Sequence, residues 1–164
     1  MSAPPVTTWY LEMTAPDQLR PARTVDGFEA HPLPRPDAAL SRHMYDQVGG
    51  PWQWTDRLGW GITRWRAHLA QPSISTWLGY LESEEVGYAE LAREGGDVEI
   101  ASFGLLPGFA GRGMGGALLA AVTEAAWEAG AERVWLHTCS LDSPAALPAY
   151  EARGFRRYDE RTGR

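Results

Sequence analysis

The chain has 164 residues, 44% of them hydrophobic, enough for one domain with a substantial core and too few for two ordinary ones. All fifteen basic residues are arginine, set against 21 carboxylates for a formal charge of −6, and no basic run exists to neutralise the phosphates of a nucleic acid. Lysine and asparagine are absent, which excludes a lysine Schiff base and an asparagine-containing nucleophile triad.

Seven of the twelve prolines fall in the first 36 residues and mark irregular, surface-running chain. Inside it, Thr7–Thr14 alternates Trp9, Leu11 and Met13 with Tyr10 and Glu12, as a half-buried strand does. Two short helices are predicted next, over Asp37–Val48 and Ile62–Ala70. Trp52, Trp54, Trp60 and Trp65 place half of the tryptophans in fourteen residues there. Packing accounts for most of this cluster, and Tyr45, Trp52 and Trp54 are the candidate walls of a substrate pocket.

Ser73–Leu81 and Glu85–Leu91 are β-rich runs joined by a polar turn, a hairpin. The Gly95-Gly96-Asp97 turn leads to a third antiparallel run, Val98–Leu106, ended by Pro107. A glycine-rich loop, Gly108 to Gly116, opens a helix reaching about Ala129. Leu118, Val122, Ala125, Ala126 and Ala129 keep helical spacing, Glu124 and Glu128 face away, and Gly130 suits the stop. Arg133–Cys139 reads as a buried strand. Ser143-Pro144 reads as a helix start, with serine at the N-cap and proline in the first turn. That helix stops at Gly154, and Phe155–Tyr158 begins a final strand. The order describes a mixed α/β (α+β) sheet with one parallel step around the glycine loop.

The single Cys139 forms no internal disulfide and fits a reducing compartment. Met1-Ser2-Ala3-Pro4-Pro5 lacks the charged and apolar regions of a secretion leader, and no apolar run is long enough to span a membrane. A cytoplasmic protein without a membrane partner is expected. One cysteine and four scattered histidines give no ligand spacing, so no metal is expected.

Gly111-Arg112-Gly113-Met114-Gly115-Gly116 carries the most chemical information. Glycines let backbone approach a ligand closely, a helix N-terminus offers unpaired N–H groups, and Arg112 can add a full charge, which suits a pyrophosphate. The same residues match G-x-G-x-x-G at Gly111, Gly113 and Gly116, so a dinucleotide-binding oxidoreductase has to be weighed. Pro107 separates the loop from its strand, the preceding strands are hairpins, and His137-Thr138-Cys139 ends the next strand where an acidic residue would bind ribose.

VEIASFGLLPGFAGRGMGGALL, from Val98 to Leu119, instead resembles the strand, loop and helix of the GNAT superfamily of acyl-CoA N-acyltransferases. Gly113-Met114-Gly115 fills the right half of that family's [Q/R]-x-x-G-x-[G/A] signature. AALPAYEARGF, from Ala145 to Phe155, is similar to its A-x-x-x-Y-x-x-x-G-F helix. The resemblance covers roughly Ile74 to Tyr158. It implies a splay between the Val98–Leu106 and Arg133–Cys139 strands, with acyl-CoA bound at Gly111, Arg112, Gly113, Met114, Gly115 and Gly116. Ala110 stands where the family has glutamine or arginine, a loss of about one hydrogen bond, ~1 kcal/mol. The family's asparagine after the fifth strand is also missing, leaving Asp142 or Ser143 to serve.

The reaction implied is acyl transfer, most simply acetyl, to the amine of a small molecule or peptide. An alkyl amine has a pKa near ~10.4, so neutralising it at pH 7 costs roughly 4–5 kcal/mol and makes a base valuable. Glu99 is similar in position to the catalytic glutamate of the family's histone-acetylating branch, with His137 one strand over as alternative base or relay. The resemblance implies a backbone N–H at Leu105 or Leu106 for the developing oxyanion. It also implies Tyr150 as the acid that protonates the departing thiolate. Packing roles for Glu99, His137 and Tyr150 remain open at this point, as does an acyl group carried on Cys139. The alternative function is a fold relative that binds acyl-CoA without transferring the group: Glu99 and Tyr150 favour the enzyme, Ala110 the binder. The sequence is read as a single domain over 1–164, with an irregular and helical acceptor-side region at 1–70 and an acyl-CoA-binding core at 73–158. A homodimer is compatible with this reading.

Overall fold

The computed structural model describes residues 4–163; residues 1–3, part of the segment read for a leader, and residue 164 lie outside the described residues. The helices and most strands form where periodicity places them: β1 (Val6–Met13), α1 (Ala38–Gly49), α2 (Ile62–Leu69), β3 (Ile74–Leu81), β4 (Glu84–Glu94), β5 (Asp97–Leu105), α3 (Met114–Glu128), β6 (Arg133–Cys139), α4 (Ala146–Ala152) and β7 (Arg156–Gly163). Asp37 caps α1, its carboxylate accepting the Leu40 N–H at 3.0 Å. Gly130, at φ +95, ends α3 as expected.

Three local expectations need correction. The proline-rich start contains a strand, β2 (Phe28–Pro32), antiparallel to β3. It lies at the sheet edge, where the missing N–H of Pro32 costs little. Ser143 does not cap α4; its carbonyl closes a turn with the Ala146 N–H, its hydroxyl accepts the Ala145 N–H, and the helix begins afterwards. β6 is buried on one face only: Val134, Leu136 and Thr138 are buried, whereas Trp135 is partly exposed and His137 exposed.

One seven-stranded sheet runs β2-β3-β4-β5-β6-β1-β7. β1 is therefore inserted between β6 and β7, antiparallel to both, and supplies Leu11 and Met13 to the core. That core packs the Val98, Ile100, Val134 and Leu136 face against Leu118, Leu119 and Val122 of α3 and Phe155. Each such side chain contributes about 1.5–3 kcal/mol by burial. On the other face, α1 and α2 cover β3 to β5: Met44 and Val48 pack on Leu78 and Tyr88, and Tyr45 on Trp65 and Leu69.

Between β1 and β2 the chain forms a strap that fastens to the end of α4. The Arg20 N–H donates to the Arg153 carbonyl at 2.8 Å, and Arg153 Nη1 donates to the Pro21 carbonyl at 2.6 Å. Gly154 has φ +107, and a Cβ there would stand 2.0 Å from the Gln18 carbonyl oxygen. Its glycine thus both ends a helix and admits the strap. Gly154→Ala should lose about 1–3 kcal/mol to backbone strain alone, with the blocked contact adding to it. Urea unfolding measures the loss, and an unchanged midpoint would contradict this contact.

Candidate functional site

β5 and β6 pair in parallel only through Asp97↔Arg133, Val98↔Val134 and Glu99↔Trp135, although β5 runs on to Leu105 and β6 to Cys139. Beyond Glu99 the two strands diverge. A bulge explains the divergence: Glu90 pairs Ser102 and Leu91 pairs Ile100, so Ala101 is an extra residue that bends β5. β6 meanwhile stays paired with β1 from Val134 to Cys139.

The opening exposes backbone donors. The Leu106 N–H donates to the Val86 carbonyl at 2.8 Å, so it faces β4. Antiparallel ladders alternate, and the Leu105 N–H therefore points the other way, into the gap. Of the two donors suggested by the sequence, Leu105 is free and Leu106 is engaged.

The glycine loop adjoins this gap. Gly108, Gly111 and Gly113 have φ of +93, +80 and +83, values glycine adopts without strain. A Cβ at Gly108 or Gly111 would meet nothing within 4 Å, so the loop has an open side. α3 starts at Met114 with no side-chain cap, and its first backbone bond is Ala117 N–H to Gly113 carbonyl. The amides of Met114, Gly115 and Gly116 are thus left for an anion. Arg112 is exposed, with its guanidinium 5.9 Å from the centre of the Phe109 ring. Uncapped amides, an open glycine turn and an unpaired strand edge fit a pyrophosphate joined to an extended amide chain.

On the α1/α2 face of the gap, His137 Nε2 lies 3.9 Å from Glu99 Oε2. The Glu99 side chain retains 25% of its exposure and that of His137 45%. Burial pushes the Glu99 carboxyl above the usual carboxylate range, His137 pulls it back, and Glu90 adds to the rise. Tyr10 of β1 stands beside His137, ring centres 5.7 Å apart. Tyr150 is on the opposite face, buried on α4 with its ring 5.9 Å from Phe103. Burial, reinforced by the charge of Asp142, pushes its hydroxyl above the usual phenol range, so it keeps its proton at neutral pH.

Asp142 makes internal bonds: it accepts from Trp54 Nε1 at 3.2 Å, Thr138 Oγ1 at 2.5 Å and the Cys139 N–H at 3.1 Å. Ser143 lies in the turn before α4. Tyr45 is only 4% exposed and its hydroxyl accepts the Arg57 N–H, so it is packed inside rather than lining open space. Trp54 is half-buried against Tyr45, and Trp52 lies on the surface.

A further cluster escaped sequence reading. Glu90 is fully buried on β4 and takes both Arg57 terminal nitrogens, at 2.8 and 2.6 Å, and His68 Nε2 at 3.1 Å. Trp60, Trp65 and Tyr45 surround the guanidinium, 4.9, 5.2 and 5.7 Å from its carbon. The available signal was Glu90 itself, a carboxylate inside the apolar run Val86–Leu91, because a buried charge needs a partner. Among the described residues no cluster of His, Cys, Asp or Glu is placed to hold a metal, and no helix is long and apolar enough to cross a membrane.

The model of the acetyltransferase (GNAT) family matches residues 39–155. No curated protein matches the chain. A GCN5-related N-acetyltransferase from Sphaerobacter thermophilus superposes with a TM-score of 0.78 at 18% identity, over 98% of this chain and 51% of that one. A GCN5-related N-acetyltransferase from Kribbella flavida gives 0.69 at 21%, over 94% and 55%. An aminoglycoside acetyltransferase from an uncultured soil metagenomic sample, in complex with sisomicin, gives 0.64 at 15%, over 78% and 88%. The chain thus spans just over half the length of the first two, and the likeness at these identities is one of fold.

The buried pair makes a stability test. Glu90→Ala strands the Arg57 charge and should cost about 3–5 kcal/mol, whereas Arg57→Met with Glu90→Met should cost much less. Denaturant unfolding of both variants checks this, and equal losses would show that the stranded charge is not the source of the cost.

Proposed function

This chain belongs to the GNAT family of acetyltransferases, and on that premise we propose that it transfers an acyl group, acetyl, from acyl-CoA to the amine of a small molecule or peptide. The observation that carries this reading is the gap beyond Glu99, with a free Leu105 amide in it, Glu99 and His137 on one face and Tyr150 on the other. Acyl-CoA supplies the acyl group already activated as a thioester.

The chain's own groups then divide the work. The amides of Met114, Gly115 and Gly116, with Arg112, hold the pyrophosphate at the start of α3. The Leu105 N–H donates to the acyl oxygen and holds the negative charge that grows there during attack. Glu99 takes the proton of the incoming ammonium, directly or through water, and His137 beside it offers a relay. Tyr150 gives its proton to the leaving sulfur from the opposite face, which keeps acid and base apart. Asp142 acts from behind, orienting Trp54 and the end of β6. The half-buried free Cys139 suits a reducing compartment, and the activity is assigned to the cytoplasm.

The main test is kcat/KM against pH with acetyl-CoA and an amine acceptor. Because the Glu99 pKa is raised, its protonated form persists to higher pH, so the acid limb should lie above that of an ordinary glutamate. Glu99→Gln should lose about 10²–10⁴-fold near pH 7 and recover as pH rises, where free amine replaces the base. Parallel profiles with a small gap would make Glu99 a bystander.

Tyr150→Phe removes only the hydroxyl, so the fold should survive while turnover falls about 10²-fold. Unchanged turnover would assign Tyr150 to packing against Phe103 and Phe155.

A further inference from the structure

The strap between β1 and β2 passes over the first turn of α3. Val25 Cγ2 is 3.3 Å from where a Gly113 Cβ would stand, and Ala22 Cβ is 3.8 Å from that of Gly116. Arg23 lies between these two contacts in the chain and is exposed. It lines a groove of about 770 Å³ that runs between the strap and the Ala117 side of α3.

Arg23 pairs with no carboxylate among the described residues. Among the described residues the carboxylates lining the groove, Glu124 and Glu128, stand at its other end, about 10 Å or more further along α3 at 1.5 Å per residue. An anion in this region is therefore driven to the N-terminal end of α3, where three amides lack partners. Inside the glycine loop only Arg112 carries a positive charge, and the Ala110 side chain offers no donor.

We propose that Arg23 is a phosphate ligand of the acyl-CoA site, delivered over the glycine loop by the strap. This rests on the acyl-CoA reading above and adds to it a residue far away in sequence. The strap is fastened just before Arg23 by the Gly154 contact with Gln18 and by the two bonds between Arg153 and residues 20 and 21. The diphosphate and the 3′-phosphate present the same chemistry to a guanidinium, a bidentate pair of charge-assisted hydrogen bonds.

Calorimetric titration separates the sources. Arg23→Ala should bind CoA about tenfold more weakly or worse, the share of one charge-assisted contact. It should bind pantetheine, which has no phosphate, as wild type does. A loss that persists with 3′-dephospho-CoA puts Arg23 on the diphosphate, and one that disappears puts it on the 3′-phosphate; both uphold the proposal. Arg42→Gln, on α1 at the opposite face, serves as the control for net charge. CoA binding by Arg23→Ala within twofold of wild type, or an equal loss with pantetheine, would overturn it. Wild-type protein that binds no CoA would sink the acyl-CoA reading itself.

Discussion

β5 cannot follow β4 and β6 at once. Its pairing with β4 continues to Leu105, bent by the extra residue Ala101, while β6 is held along its length by β1. Parallel pairing therefore stops at Glu99↔Trp135, and from that point a row of backbone groups in the middle of a sheet has no strand partner. Unpaired backbone is normally a cost. Here it is a place where an extended ligand can complete a ladder, and it is an opening through the sheet. Glu99 and Tyr150 stand on opposite faces of that opening.

The N-terminal half ties β4, the strand that carries β5, to the end of β6. Arg57 ties the segment between α1 and α2 to Glu90 on β4, and Trp54 ties it to Asp142 just after β6. The segment therefore reaches across the strands that diverge. Burying Glu90 completely is costly, and three hydrogen bonds from Arg57 and His68, with aromatic rings around the guanidinium, offset the cost. Burial alone would lower the Arg57 pKa; the bonds to Glu90 outweigh it, and Arg57 keeps its charge. One consequence is that Tyr45, legible in sequence as a pocket wall, is sealed within this anchor.

The parts of the fold carried by local pattern were legible: the hairpin from Ser73, the helix after the glycine loop with Gly130 as its stop, and the parallel step. β2 was hidden because Pro32 and its neighbours look like loop, and only a position at the sheet edge makes a strand of them. The placement of β1 was illegible for a different reason. Alternation of Leu11 and Met13 with Tyr10 and Glu12 states which face is buried, but nothing in it names β6 and β7 as partners. At the site, the choice between Leu105 and Leu106 needed the ladder, since only the bond from Leu106 to Val86 decides which amide is free. His137, read as a candidate base or relay, stands on a strand read as buried; its exposure shows that this face of β6 is left partly open.

Amide hydrogen exchange at two adjacent residues tests the central claim, that an acyl thioester lies along the unpaired edge of β5. Leu106 is bonded to Val86 with or without ligand and should exchange slowly in both states. The Leu105 amide should exchange quickly in the free protein and become protected when acetyl-CoA is added. A Leu105 amide that is already protected without ligand, or that stays unprotected at saturating acetyl-CoA, would contradict the account.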